Sequence, residues 1–210
     1  MDGVFMRKIA KLMGTLLLLS VAFGLGTIVQ DKQNLSNNLI RLHVVADSDS
    51  AEDQKVKLQV RDAITEKLNS VMDDFQDVES AKAYLQETLP ELEKIANDVL
   101  KSLGNSCRAV VTFAKEAFPT REYDTFSLPA GVYESLRVTI GSGEGKNWWC
   151  VVFPSLCISA TTDGFEDTAV GAGFSDQLSG TLSGKPKYQV RFFLLDCFGW
   201  IENWIYQKGF

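Results

Sequence analysis

Histidine occurs once in these 210 residues, a scarcity that removes paired-histidine proton relays and most histidine-based metal sites. The four cysteines contain no Cys-x-x-Cys spacing, so neither a thioredoxin-like redox motif nor a zinc ribbon is present. Nor is there a surplus of positive charge. Lysine and arginine number 21 against 27 acids, leaving −6 at pH 7, whereas a nucleic-acid binder needs a basic stripe to displace phosphate counterions. What remains is an ordinary globular composition, 45% hydrophobic and 23% charged. It is too apolar for a disordered tail and large enough to bury a core without metals or many disulfides. No metal, cofactor or nucleic-acid partner is expected.

Charge is unevenly placed along the chain. Arg7, Lys8 and Lys11 precede an uncharged apolar run from Leu12 to Val29 that contains Leu16 to Leu19. A basic flank, a short apolar stretch and small residues make up a secretory signal, with Ser20-Val21-Ala22 and Gly24-Leu25-Gly26 as small-x-small cleavage sites. The same run is long enough for an uncleaved anchor, since roughly 17–25 apolar residues cross a bilayer. Residues 1–30 are therefore read as a signal peptide or signal anchor and 31–38 as a short polar linker. The remainder is placed outside the cytoplasm, with membrane contact through the signal segment only. Export permits disulfides. Four cysteines allow three connectivities; Cys150 and Cys157 flank Phe153-Pro154-Ser155, a turn that can bring them face to face, and buried free thiols are the other reading.

Leu39 to Ala46 has strand composition, with Arg41 and His43 interleaved on one face. Asp47-Ser48-Asp49-Ser50 follows, dense in capping side chains, ahead of Val56, Val60, Ile64 and Leu68 at helical spacing. A second helix is predicted over 78–88 and a third from Thr88 to Leu103, with Pro90 in its first turn. Strands are predicted over 107–114, 132–140, 148–153 and 188–195, with Gly141 to Gly145 as a turn. This order points to an α+β fold, with helices packed on one face of a mostly antiparallel sheet, preceded by the N-terminal hydrophobic signal segment. Residues 161–210 read as a flexible Gly/Ser-rich connection, a closing strand and a short terminal segment over 198–206.

Each constellation that invites chemistry has a plainer explanation. Asp47-Ser48-Asp49 after a hydrophobic strand is similar to the paired aspartates that flank magnesium in haloacid-dehalogenase-like phosphotransferases, without the glycine and threonine that follow there; helix capping explains the same residues. Cys150 as a nucleophile requires a base, and the single histidine, His43, is explained as a hydrogen-bonded strand residue. The glycine-rich turn lacks the following helix that a phosphate loop needs. Pro119 and Pro129, with Gly131, set aromatic and arginine side chains beside rigid turns. Such side chains dominate binding hot spots, so Arg121, Tyr123, Tyr133, Trp148 and Trp149 are the predicted partner-binding residues. Strand alternation puts Trp148 and Trp149 on opposite faces.

Leu39 to Ser50 (LIRLHVVADSDS), then Asp53-Gln54, Lys57 and Val60-Arg61-Asp62, resemble the opening of the stage II sporulation protein R family. The resemblance continues through Phe118-Pro119-Thr120-Arg121, Leu128-Pro129-Ala130-Gly131 with Tyr133, and Gly145 to Pro154 with Asn147, ending at Cys157. It covers about residues 39–160, the predicted signalling domain, and is poor from 161 to 186. Asp47 stands where the family carries asparagine. The resemblance implies a signalling protein of endospore formation, not an enzyme, made in the forespore and secreted across its inner membrane into the intermembrane space. There it implies activation of a membrane-embedded aspartic protease of the mother cell, which then processes pro-sigma factor E. Structural roles are expected for the matching positions His43, Asp47, Asp49, Asp53, Arg61, Pro119, Pro129, Gly131 and Asn147. A secreted hydrolase, dependent on a metal at Asp47 and Asp49 or on Cys150, is the competing reading; a membrane-anchored structural protein is a third.

Overall fold

The computed structural model describes residues 3–123, 125–155, 169, 174–183 and 190–209. Helix α1 (Gly3–Asn38) is continuous and about 54 Å long at 1.5 Å per residue. Leu12, Leu16 to Leu19 and Phe23 are exposed along its first part, whereas Ile28, Asp31, Lys32 and Leu35 are buried. Residues 31–38, expected as a linker, are thus a helical stem packed into the domain. The segment is polar, but it contains no proline or glycine to stop a helix, and Ile28 and Leu35 give it an apolar seam.

Strand β1 (Ile40–Val45) leads into helix α2 (Ala51–Met72). Ser50 caps α2, its hydroxyl accepting from the Asp53 amide at 3.0 Å. Helix α3 (Val78–Ser102) is capped by Asp77 and runs through Pro90, so the two helices predicted here are one. Its stripe Ala81, Leu85, Leu92, Ala96 and Leu100 is buried throughout, and burial of that stripe outweighs the roughly 3 kcal/mol that an interior proline costs. Pro90 and Gln86, whose carbonyl it leaves without an amide, both lie on the exposed side.

Strands β2 (Ala109–Phe118), β3 (Arg121–Glu122), β4 (Ser127–Leu128), β5 (Gly131–Ile140) and β6 (Asn147–Phe153) follow. The main sheet has the order β2-β5-β1-β6: β1 pairs parallel with β5 and antiparallel with β6, and β2 pairs antiparallel with β5. β3 and β4 form a separate two-stranded ribbon. The mixed α+β architecture with a mostly antiparallel sheet is the one the sequence predicts. Beyond the sheet the outcome differs. A short helix α4 (Asp176–Leu182), capped by Ser175, occupies part of the expected flexible connection. Most of 161–186, and Tyr188, lie outside the described residues.

The predicted closing strand and terminal segment form one helix, α5 (Val190–Lys208). Its β-rich composition suggested a strand, but the positions that bury, Phe192, Leu195, Gly199 and Asn203, recur every three or four residues. Tertiary packing overrides local propensity there.

Helices α2 and α3 cover one face of the sheet, where Leu42, Val44, Leu136 and Val138 meet Ile64, Leu92 and Ala96. A smaller layer lies on the opposite face: the α1 stem and α5 enclose Leu39, Phe118, Tyr133 and Val151 with Ile28, Leu35, Phe192 and Leu195. A Cβ built on Gly199 would overlap the Ala130 carbonyl, so only glycine lets α5 lie directly on the Pro129–Gly131 turn. Asp196 of α5 fastens the same turn, accepting from the Ala130 amide at 2.7 Å and the Thr120 hydroxyl at 2.5 Å.

Candidate functional site

The second layer covers only part of its sheet face; Val110, Thr112 and Ala114 of β2 remain exposed. A polar network occupies the border between the covered and open halves, because alternation along three strands sends His43, Glu116, Ser135 and Arg137 to this side. Glu116 Oε1 lies 2.9 Å from His43 Nδ1 and accepts from Arg137 Nη1 at 2.8 Å, while its Oε2 accepts from the Ser135 hydroxyl at 2.9 Å. His43 Nε2 faces Asn147 Oδ1 at 2.8 Å, and the imidazole stacks on Trp149 with ring centres 3.7 Å apart. Burial pushes the Glu116 carboxyl up, but the hydrogen bond and charge of His43, with Ser135 and Arg137, hold it below the usual range. Both imidazole nitrogens are committed to neighbours, so neither is free to take a proton from a nucleophile.

Under this network lies Arg41, 0% exposed. Its guanidinium stacks over Phe118 at 4.2 Å and Tyr133 at 5.1 Å, and one nitrogen donates to the Tyr123 hydroxyl at 3.1 Å. Among the described residues, the buried Arg41 Nε and Nη1 have no hydrogen-bond partner, and the same holds for Arg121 Nε and Trp149 Nε1. All of these are donors. Arg121 also lies over the Trp149 ring at 5.4 Å, and Tyr123 stacks on Phe126. The structure therefore brings together Arg121, Tyr123 and Trp149 of the predicted contact set. Trp148 points to the other face, 38% exposed, beneath the Arg61 guanidinium at 4.1 Å. Tyr133 does not belong on the surface: it is wholly buried, and its hydroxyl donates to the Pro129 carbonyl at 2.8 Å. Burial raises its ionisation well above that of a free tyrosine, so it remains a neutral donor that braces the turn.

The Asp47-Ser48-Asp49 motif has a different task from the capping expected of it. Ser50 caps α2, while Asp47 and Asp49 clasp the β5–β6 turn. Asp47 Oδ1 accepts from the Ser142 amide at 2.6 Å, and Asp49 Oδ1 accepts from the Lys146 amide at 2.7 Å. These bonds with Ser142 hold the Asp47 carboxyl below the usual range. Lys57, buried beneath the turn, donates to the Lys146 carbonyl at 2.9 Å. Asp53 accepts from the Ser50 hydroxyl at 2.8 Å and from that of Ser48. Carboxylates satisfied by backbone amides are poorly placed to ligate a cation, and no group of three potential ligands converges among the described residues.

Cys150 is disulfide-bonded, Cys107 and Cys197 are free thiols, and Cys157 lies outside the described residues. Cys150 packs into the α2–α3 core, whereas His43 faces the other layer. A Cys150–His43 catalytic pair is thereby ruled out by strand alternation as well as by the disulfide. Arg41 was placed with His43 on one strand face but given no role, and Glu116, Ser135 and Arg137 escaped the sequence reading. Their signal was a polar residue at alternate positions of β-rich runs, which equally describes a solvated face.

The profile of the stage II sporulation protein R family matches residues 36–163, more than half of the chain. A curated relative in Bacillus subtilis (strain 168), named stage II sporulation protein R, is 37% identical over 130 residues. That alignment covers 62% of this chain and 58% of the relative, so the chain matches less than two thirds of that protein's length. No solved structure matches. The matched span contains β1 through β6, the aspartate clasp and the Arg41–His43–Glu116 layer, and on this evidence the chain belongs to the stage II sporulation protein R family.

Proposed function

We propose that the chain is an exported signal of endospore formation. On this reading it is made in the forespore and crosses the forespore inner membrane into the intermembrane space. It there activates a membrane-embedded aspartic protease of the mother cell, and pro-sigma factor E is processed. The observation that carries the reading is the family match, whose residues 36–163 begin at the end of an apolar helix suited to be a signal or membrane segment. The commitment of both His43 nitrogens and the disulfide at Cys150 favour recognition over hydrolysis.

The mechanism is differential binding: the domain prefers the active state of the protease and shifts its population. Arg121, Tyr123 and Trp149 form the contact. Arginine and aromatic side chains of this kind dominate binding hot spots. Reconstitution of the full chain with the protease and pro-sigma factor E tests both levels. The wild type is expected to trigger cleavage, and R121A and W149A to weaken it about tenfold, the consequence of losing roughly 1.4 kcal/mol of preference. Undiminished cleavage with both variants overturns the contact surface; absence of cleavage with the wild type overturns the function.

A further inference from the structure

Helix α5 is apolar on two opposite sides. Phe192, Leu195, Gly199 and Asn203 face the protein, yet Phe193, Trp200, Ile201, Trp204 and Ile205 are exposed, Trp200 and Trp204 at 59% and 60%. At 100° per residue these outer positions fall within one arc, with no acid among them. A helix apolar all round belongs in a core or against lipid, and a soluble surface rarely leaves so contiguous a patch bare. The acids that α5 does carry lie outside this arc and are paired: Asp196 holds the Ala130 turn, and Glu202, its side chain 42% exposed, pairs with Lys32 at 2.5 Å.

The position of α5 identifies what covers the patch. Neighbouring residues of α1, Asp31 and Lys32, reach Arg191 at the start of α5 and Glu202 near its end, about 16 Å apart along the axis. The two helices therefore cross instead of running alongside. Traced backward from the sheet at Ile40, α1 passes α5 between Leu35 and Ile28 and then enters its exposed apolar run. That run, Leu12 to Val29, is about 27 Å long, close to the roughly 30 Å of a bilayer's hydrocarbon. With α1 across the bilayer, α5 lies within about two turns of its emergence, at headgroup level, and its outer arc faces away from the sheet. Tryptophan prefers that depth.

We propose that α5 is an interfacial helix whose Phe193–Trp200–Trp204 face rests in a lipid surface, fixing the height and orientation of the domain above the membrane. The apolar face, its distance from the end of the α1 run and the absence of acids from that face all fit an anionic bilayer. This extends membrane contact beyond the signal segment. It rests on reading α1 as a membrane segment and does not require the protease.

The test uses the full chain in vesicles of phosphatidylethanolamine and phosphatidylglycerol carrying a shallow doxyl-labelled lipid, with tryptophan emission as the readout. Four tryptophans are present, at 148, 149, 200 and 204. Quenching by the labelled lipid is expected in the wild type and in W148F, and its loss in W200F/W204F. Both α5 substitutions are conservative and at exposed positions, so the domain folds, as β-sheet circular dichroism verifies. Equal quenching in wild type and W200F/W204F overturns the proposal. So does emission that is blue-shifted but insensitive to the labelled lipid, together with crosslinking of α5 to α5, which marks the patch as an interface between two copies. Protease activation plays no part in the readout, so failure here leaves the signalling proposal standing and failure there leaves this one.

Discussion

On the α2–α3 side of the sheet, Leu42, Val44, Leu136 and Val138 enter a core made almost wholly of aliphatic side chains. Their immediate neighbours in the same strands, Arg41, His43, Ser135 and Arg137, point the other way into a layer held by ion pairs, hydrogen bonds and stacked rings. The first face excludes water and needs no directional partner. The second is only half covered, and its polar groups are satisfied by one another or left with spare donors. Stability is expected to reside mainly on the first face and recognition on the second, because a close-packed core tolerates no rearrangement while an incompletely satisfied polar layer retains capacity for a partner.

The largest effect expected from that contrast is on the dry face. Leu136→Ala should cost about 2–5 kcal/mol in urea denaturation, through lost burial and a residual cavity. A cost below that of the polar-face variants would reverse the assignment. Glu116→Ala is expected to lose roughly 1–3 kcal/mol, since it strips His43, Ser135 and Arg137 of a shared acceptor. Gly199→Ala should destabilise by about 1–3 kcal/mol by pushing α5 off the Ala130 turn, and in the same measurement should loosen Phe118 and Tyr133 before the α2–α3 core.

A smaller effect separates the faces by pH. Glu116 has a folded-state pKa below the 4.5 of a free glutamate, so its contribution to stability is complete above that value and is lost as pH falls through the depressed one. Denaturation midpoints of Glu116→Gln should therefore fall less steeply with acid than those of the wild type over that window. Parallel slopes would show that the carboxylate does not couple to folding. The smallest change is expected from Arg41→Met. Its guanidinium is buried with two donor nitrogens unmatched among the described residues, so an apolar replacement should leave stability in urea denaturation within about 1 kcal/mol. A loss of several kcal/mol would mean that stacking on Phe118 and Tyr133 is worth far more than the unmatched donors cost.

Much of the first face was legible in the sequence, because aliphatic side chains at period two in β1, β5 and β6 and at helical period in α2 and α3 need no distant information. A capping start to α2 within Asp47 to Ser50 was legible for the same reason, since a capping side chain acts within one turn, and the structure assigns it to Ser50. The merging of two predicted helices through Pro90 was not, since it depends on an unbroken buried stripe, and neither was α5, whose strand-like residues become helical against Ala130 and the α1 stem.

The sequence by itself determined the α+β class, the apolar export or anchoring helix and the family-specific motifs, all properties of local periodicity or contiguous pattern. Only the tertiary structure decided that Asp47 and Asp49 clasp a turn some 95 positions away, that Tyr133 is buried while Trp148 is open, and that Glu116 reaches His43 across the sheet. Those outcomes are contacts between distant segments, and alternation fixes the face a side chain occupies without naming what waits for it there.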